Sequence, residues 1–179
     1  MNTFIVGLRP VDVNDLTFLI EWRNKPEYMV NFRQSEPITL AAQLKWFQQL
    51  RPEDKHFIMT DGIRSLGYCS LNHVSLTHKT AEFSIFTVPG VNVGYFALKQ
   101  LIRKGFEEMG LNKIYSDVLL YNTKALKLYL LLGFKTEGIN REAYFKNGKF
   151  VDSIHIGLLR SEWEDRRAVQ TDEKESVTA

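Results

Sequence analysis

The sequence predicts one mixed α/β (α+β) domain, with a mostly antiparallel central sheet of about seven strands flanked by about four helices. Three observations carry that expectation. Segments of strand period alternate with segments of helix period along the chain. A helix capped by Asn122 and stopped by Gly133 follows directly on the β-branched strand that ends at Leu120. Near the C-terminus, Asn147-Gly148 separates two strand-like runs, which is a strong hairpin signal.

Taken in order, Phe4 to Arg9 reads as the first strand. Asp12 or Asn14 then caps a helix through Leu16, Leu19 and Ile20 to Trp22-Arg23-Asn24, stopped by Pro26. Thr39 caps the next helix, whose apolar positions Leu40, Leu44, Phe47 and Leu50 keep helical spacing until Pro52. The two helices flank a loop holding Met29, Phe32 and Arg33, placed to act as a lid over an acceptor. His56 to Thr60, Leu66 to Leu76 and Ala81 to Val88 form an antiparallel meander, the first two joined at Asp61-Gly62. A helix with Ala97, Leu98, Leu101, Ile102, Phe106 and Met109 on one stripe ends at Gly110. Lys113 to Leu120 is the following strand, and the Asn122 helix and the final hairpin complete the domain over 1–163. Residues 164–179 form a polar tail that is expected to fray.

Composition bounds the class. A length of 179 residues suits one domain, and 44% hydrophobic with 25% charged residues is ordinary for a globular protein. A net charge of +2, with Lys and Arg scattered, makes no case for a nucleic-acid partner. The N-terminus has no basic leader and no stretch reaches roughly 18 apolar residues, so no membrane partner and a cytoplasmic location are expected. Cys69 is the single cysteine, which excludes an internal disulfide and multi-cysteine metal sites, and core packing is its expected role. His56, His78 and His155 carry no ligand pattern, so no metal is expected.

The run from Val118 to Phe134 resembles the distal half of the acetyl-CoA binding core of the GNAT N-acetyltransferases, in which an Asn follows the strand and a Tyr lies two turns along the helix. Asn122 and Tyr129 are seven residues apart and share one helix face. Asn122 can cap the helix and offer its amide to a pantetheine carbonyl, while the Tyr129 hydroxyl can protonate a departing thiolate. The resemblance implies acetyl-CoA as cofactor with CoA as product, and binding by Phe86, Thr87, Val88, Asn92, Val93, Gly94, Tyr95, Asn122 and Tyr129. A helix N-terminus with unpaired amides suits a pyrophosphate, and the loop from Gly90 to Gly94 sits in that place. The family loop usually reads Gln or Arg, two residues, Gly, one residue, then Gly or Ala. This chain departs from it with Pro89 and Asn92, and Asn92 is expected to accept the positive φ of a glycine.

The resemblance covers about residues 5 to 163 and lies on the branch of the ribosomal-protein alanine acetyltransferases. Trp22-Arg23-Asn24, the 38–50 helix, Leu66-Gly67-Tyr68 and the Asn-Gly hairpin are most similar to the nucleotide-linked 4-amino-sugar N-acetyltransferases of pseudaminic acid biosynthesis. Carried over by position, the acceptor contacts fall on Arg23, Gln43, Asn72, His73 and Phe86, of which only Arg23 is the same residue. The implied acceptor is a small-molecule amine on a nucleotide sugar, with Arg23 holding phosphate. A protein N-terminus or another small amine is the alternative acceptor, and a degenerate module that binds without turnover is a further one. Backbone amides of the 81–88 strand would steady the oxyanion, with Glu82 or Asp117 as base through a water. Exposed strand edges in this fold also admit a homodimer.

Overall fold

The computed structural model describes residues 6–168. Phe4 and Ile5 of the expected first strand, and residues 169–179 of the expected tail, lie outside the described residues. Strand β1 is Gly7–Pro10. Asp12 then accepts the amide of Asn14 while Asp15 accepts that of Asp12, a capping box that opens a 3-10 turn running into α1 (Leu16–Arg23). Of the two candidate caps, Asp12 is the one used. Pro26 begins a further short helix, α2 (Pro26–Met29), because proline's fixed φ suits a first helical position as well as it ends a helix. Thr39 caps α3 (Leu40–Gln48) by accepting the amide of Ala42.

Of the expected apolar stripe of α3, Phe47 packs inward while Leu40 and Leu44 are turned out. Leu40 and Leu44 are 59% and 38% exposed, whereas Gln43 is buried. Trp46 and Phe47 pack instead on the small core of Leu16, Leu19, Ile58 and Phe86, and that contact turns the 40/44 edge to solvent.

Strands β2 (Lys55–Thr60), β3 (Ser65–Ser75) and β4 (Thr80–Thr87) form the expected meander. Next come α4 (Gly94–Arg103), β5 (Lys113–Leu119), α5 (Thr123–Leu132), β6 (Lys135–Lys146) and β7 (Lys149–Leu159). One wide π turn, Lys104–Glu108, extends α4 and buries Phe106. The helix carrying Trp163, α6, continues over 160–168, past the boundary expected at 163. Asn122 caps α5 by accepting the amide of Ala125, and Gly133 ends it at φ 102, a left-handed conformation that glycine adopts without steric cost.

The sheet has seven strands in the order β1-β2-β3-β4-β5-β7-β6. All neighbours are antiparallel except β4 and β5, which run parallel and pair only from Thr80↔Lys113 to Glu82↔Tyr115. Beyond Glu82 the two strands separate and leave a wedge in the middle of the sheet. The main core fills one side of it. Phe83, Phe106 and Phe134 are fully buried there with Leu98, Leu101 and Ile102 of α4, and Cys69 is among them.

Candidate active site

The wedge opens into a cleft of about 1180 Å³. One wall is β4 from Phe83 to Thr87 with Val88 just after it, and the facing wall is β5 from Ser116 to Leu119 with the start of α5. The Ser116 hydroxyl donates to the Phe83 carbonyl at 3.0 Å, and the Tyr28 hydroxyl donates to the Thr87 carbonyl at 2.9 Å. Backbone groups of alternate strand residues point the same way, so Phe83, Ile85 and Thr87 all face the gap. The Ile85 N–H therefore points into a space where no strand lies opposite.

On the α5 side, Asn122, Ala125, Leu128 and Tyr129 line the cleft. Tyr129 packs edge-on against Phe83 with ring centroids 4.9 Å apart, and burial pushes its hydroxyl above the usual tyrosine range. Phe86, Thr87, Val88, Asn92 and Gly94 also line the cleft. Val93 and Tyr95 do not: Val93 is buried in the core, and Tyr95 stacks edge-on with Phe96. Nor does Asn92 take the left-handed role, since Gly90 carries the positive φ of 76° in that loop. The first turn of α4 has no side-chain cap, which leaves its leading amides open at the cleft. Uncapped amides, Gly94 at the cleft beside Thr87 and Leu128, and the wedge itself fit an acetyl-CoA lying across the sheet.

The opposite end of the cleft is covered by a lid, residues 29–35, gripped from the far edge of the sheet. Lys146, buried at the end of β6, donates to the carbonyls of Met29 and Gln34. The Tyr121 hydroxyl donates to the Val30 carbonyl, and the Ser35 hydroxyl to that of Phe145. Beneath the lid Phe86 is ringed by Phe18, Tyr28, Phe32 and Tyr68.

Of the five expected acceptor residues, Arg23, Asn72, His73 and Phe86 meet in this part of the cleft. Gln43 does not: Ala42, Lys45, Trp46 and Gln49 form the cleft face of α3, and Gln43 is turned off it into the interior. Arg23 donates to Gln34 Oε1 at 2.7 Å and lies over the Phe32 ring, and burial lowers its pKa. Pairing with Glu21 or Glu27 does not occur; Lys25 takes Glu21 instead. Asn72 accepts from the Ser70 hydroxyl at 2.7 Å.

The two carboxylates expected as bases are both held. Asp117 accepts from the Tyr144 hydroxyl at 2.7 Å and from His155 Nδ1 at 3.2 Å. Burial works to raise its pKa, but those bonds outweigh it and the carboxyl sits below its ordinary range. Glu82, 4% exposed, is paired with Arg33 through one oxygen and lies 3.0 Å from His73 Nδ1 through the other. Lys146 escaped the sequence reading, which placed Arg33 in the lid loop but not its pairing with Glu82, because each acts on a segment remote in the chain. Among the described residues no group of three or more His, Cys, Asp or Glu is placed to hold a metal, and no helix is long and apolar enough to cross a membrane.

His56 also lines the cleft, with Nδ1 2.7 Å from the Tyr68 hydroxyl, and burial draws its pKa down to about 4. The folded chain thus refuses a proton that the unfolded chain accepts between pH 4 and about 6.5. Its contribution to stability is full above pH 6.5 and drains by about 3 kcal/mol as pH falls toward 4. Denaturant midpoints at pH 7 and 4.5 measure this; His56→Gln should flatten the fall, and an equal fall in both proteins would assign it elsewhere.

A family model described as an acetyltransferase (GNAT) domain matches residues 6–135. The spermidine N(1)-acetyltransferase of Vibrio cholerae is 28% identical over 166 residues, 89% of this chain and 95% of that protein. Acetyltransferase PseH of Campylobacter jejuni is 26% identical over 118 residues, 64% of this chain and 73% of that protein. The crystal structure of the Vibrio cholerae spermidine N-acetyltransferase in complex with CoA and spermine superposes with a TM-score of 0.83 at 25% identity, covering 88% of this chain and 97% of the other.

Proposed function

Since this chain belongs to the GNAT acetyltransferases and is an acetyl-CoA-dependent N-acetyltransferase, we propose that its acceptor is the 4-amino group of a nucleotide-linked amino sugar. One observation carries the choice of acceptor: Arg23 is a half-buried cation in the cleft with no carboxylate partner among the described residues. Lys45 of α3, an exposed side chain, also lines the cleft. A guanidinium held by a neutral amide and an aromatic ring is available for two oxygens of a phosphate. A polycation would meet repulsion there. The aromatic ring around Phe86 offers flat apolar faces for a sugar or base.

Acetyl-CoA supplies a thioester whose carbonyl carbon the amine attacks. The open amides at the start of α4 would hold its pyrophosphate, and Asn122 its pantetheine arm. The Ile85 N–H is the donor aimed at the carbonyl oxygen as negative charge builds on it. Tyr129, kept neutral by burial, gives its proton to the departing sulfur. The amine loses two protons overall, one to solvent and one that ends on the thiol.

The relatives favour a second acceptor class, a small polyamine, because the one matched over 89% of this chain is a spermidine acetyltransferase. CoA release measured with a UDP-linked 4-amino-4,6-dideoxy sugar and with spermidine separates the two. Arg23→Ala is expected to raise the KM for the sugar nucleotide about 50-fold while leaving kcat within about threefold, the size of a lost charged hydrogen bond. Turnover of spermidine alone, or a KM unmoved by Arg23→Ala, would discard the sugar reading.

A further inference from the structure

The base for the incoming ammonium is missing from the roles assigned so far, and one cluster has the form of a base with its support. His73 follows Asn72 where the β3–β4 register slips, and holds φ 52° in the left-handed region. That bulge carries its ring over β4, where Nδ1 lies 3.0 Å from Glu82 Oε2. The two side chains differ sharply in exposure. His73 is 70% exposed and lines the cleft, while Glu82 is 6% exposed. Glu82 is fixed from its other oxygen by Arg33 of the lid, and Arg33 is also bonded to Tyr144 of β6.

We infer that His73 is the general base of the acetyl transfer, with Glu82 and Arg33 as positioning residues that fix its ring. A carboxylate oxygen can only accept, so the Nδ1 facing it carries the hydrogen. Nε2 is then the bare nitrogen, on the exposed side of a ring that lines the cleft. It takes one proton from the ammonium, directly or through one water, and frees the nitrogen lone pair to form the C–N bond as the C–S bond breaks. The imidazolium then releases that proton to solvent. Two alternatives at the site fit less well. Glu82 has both oxygens occupied, and the similar pair Asp117–His155 places a histidine that does not line the cleft.

The groups facing the cluster are Arg33, Tyr144 and Tyr115, the last on β5. None of them is a second imidazole.

The inference rests on amine acetylation but not on which amine, so the test uses whichever acceptor in the panel of sugar nucleotide, spermidine and free-amine peptide gives the most CoA release. His73→Asn is the variant of choice, since Asn tolerates the left-handed backbone that position 73 requires. At pH 7 kcat should fall about 100-fold. The deficit should shrink to less than about tenfold at pH 10, where much of the amine is already neutral, and added imidazole should restore part of the lost rate. A wild-type rate in His73→Asn, or a deficit that is equal at both pH values and deaf to imidazole, overturns the assignment. A substrate-free reading stands beside it. The chain has 4 histidines, and ¹⁵N spectra, assigned by the signal missing from His73→Asn, should show the His73 ring with hydrogen on Nδ1. Hydrogen on Nε2 instead would refute the inference even if no acceptor in the panel were turned over.

Discussion

Gly67→Ala is expected to lower stability by about 3 kcal/mol or more, and with it the activity. Gly67 sits in β3 between Met59 of β2 and Thr87 of β4, and a Cβ there would lie 2.3 Å from the Phe86 carbonyl oxygen and 2.9 Å from the Thr87 Cα. Both are backbone atoms of a central strand, so no side chain can swing aside, and overpacking of this kind costs at least 1–3 kcal/mol even where some relaxation is available. Relief requires β4 to move outward along Phe86 to Val88. That stretch is the cleft wall, and the Val88 amide is itself tied to the Leu66 carbonyl at 2.9 Å. Thermal unfolding should therefore show a midpoint lower by about 10 °C, and the KM for acetyl-CoA should rise even at temperatures where the variant is folded. A midpoint within a degree or two of wild type would mean that β3 and β4 are not as close here as the structure has them.

Tyr129→Phe should do the reverse: a large kinetic loss in a protein of nearly unchanged stability. The ring is held by Phe83 and Phe134, contacts that phenylalanine keeps. The hydroxyl is removed from the cleft, and if it protonates the sulfur, kcat should fall about 100-fold with a much smaller change in KM. Steady-state kinetics and a thermal melt on the same preparation decide it. Unaltered kcat would reassign the proton to water and leave Tyr129 as a packing residue.

Local chemistry explains why some of this was readable from residues alone. Asn122 and Gly133 bracket α5 by short-range rules, and Asn147-Gly148 turns its hairpin with φ of 48° and 79° because those two types accept positive φ. The meander follows from alternation and turns. What escaped depends on contacts between distant segments. Arg33 meets Glu82, and Lys146 meets Gln34 112 residues away, with nothing in either local sequence to mark the partner. The burial of Gln43 was hidden for a related reason: the 40/44 spacing fixes that α3 has an apolar edge, but which face turns inward is decided by Trp46 and Phe47 docking on α1 and β2. The wedge was hidden too, since a parallel pairing that stops after Glu82 and Tyr115 leaves no mark in the residues beyond it.

The clasp on the lid has a consequence for how this protein can change over generations. Lys146, Tyr121 and Ser35 make their hydrogen bonds to main-chain carbonyls at Met29, Val30, Gln34 and Phe145, so this part of the grip does not read the side chains of residues 29–34. Phe32, Arg33 and Gln34 add side-chain contacts to Phe86, Glu82 and Arg23, but Asn31 lines the cleft and its side chain bonds back to Glu27, so substitution there can reshape what the cleft admits without loosening its cover. Diversification of acceptor choice is thereby uncoupled from retention of the scaffold.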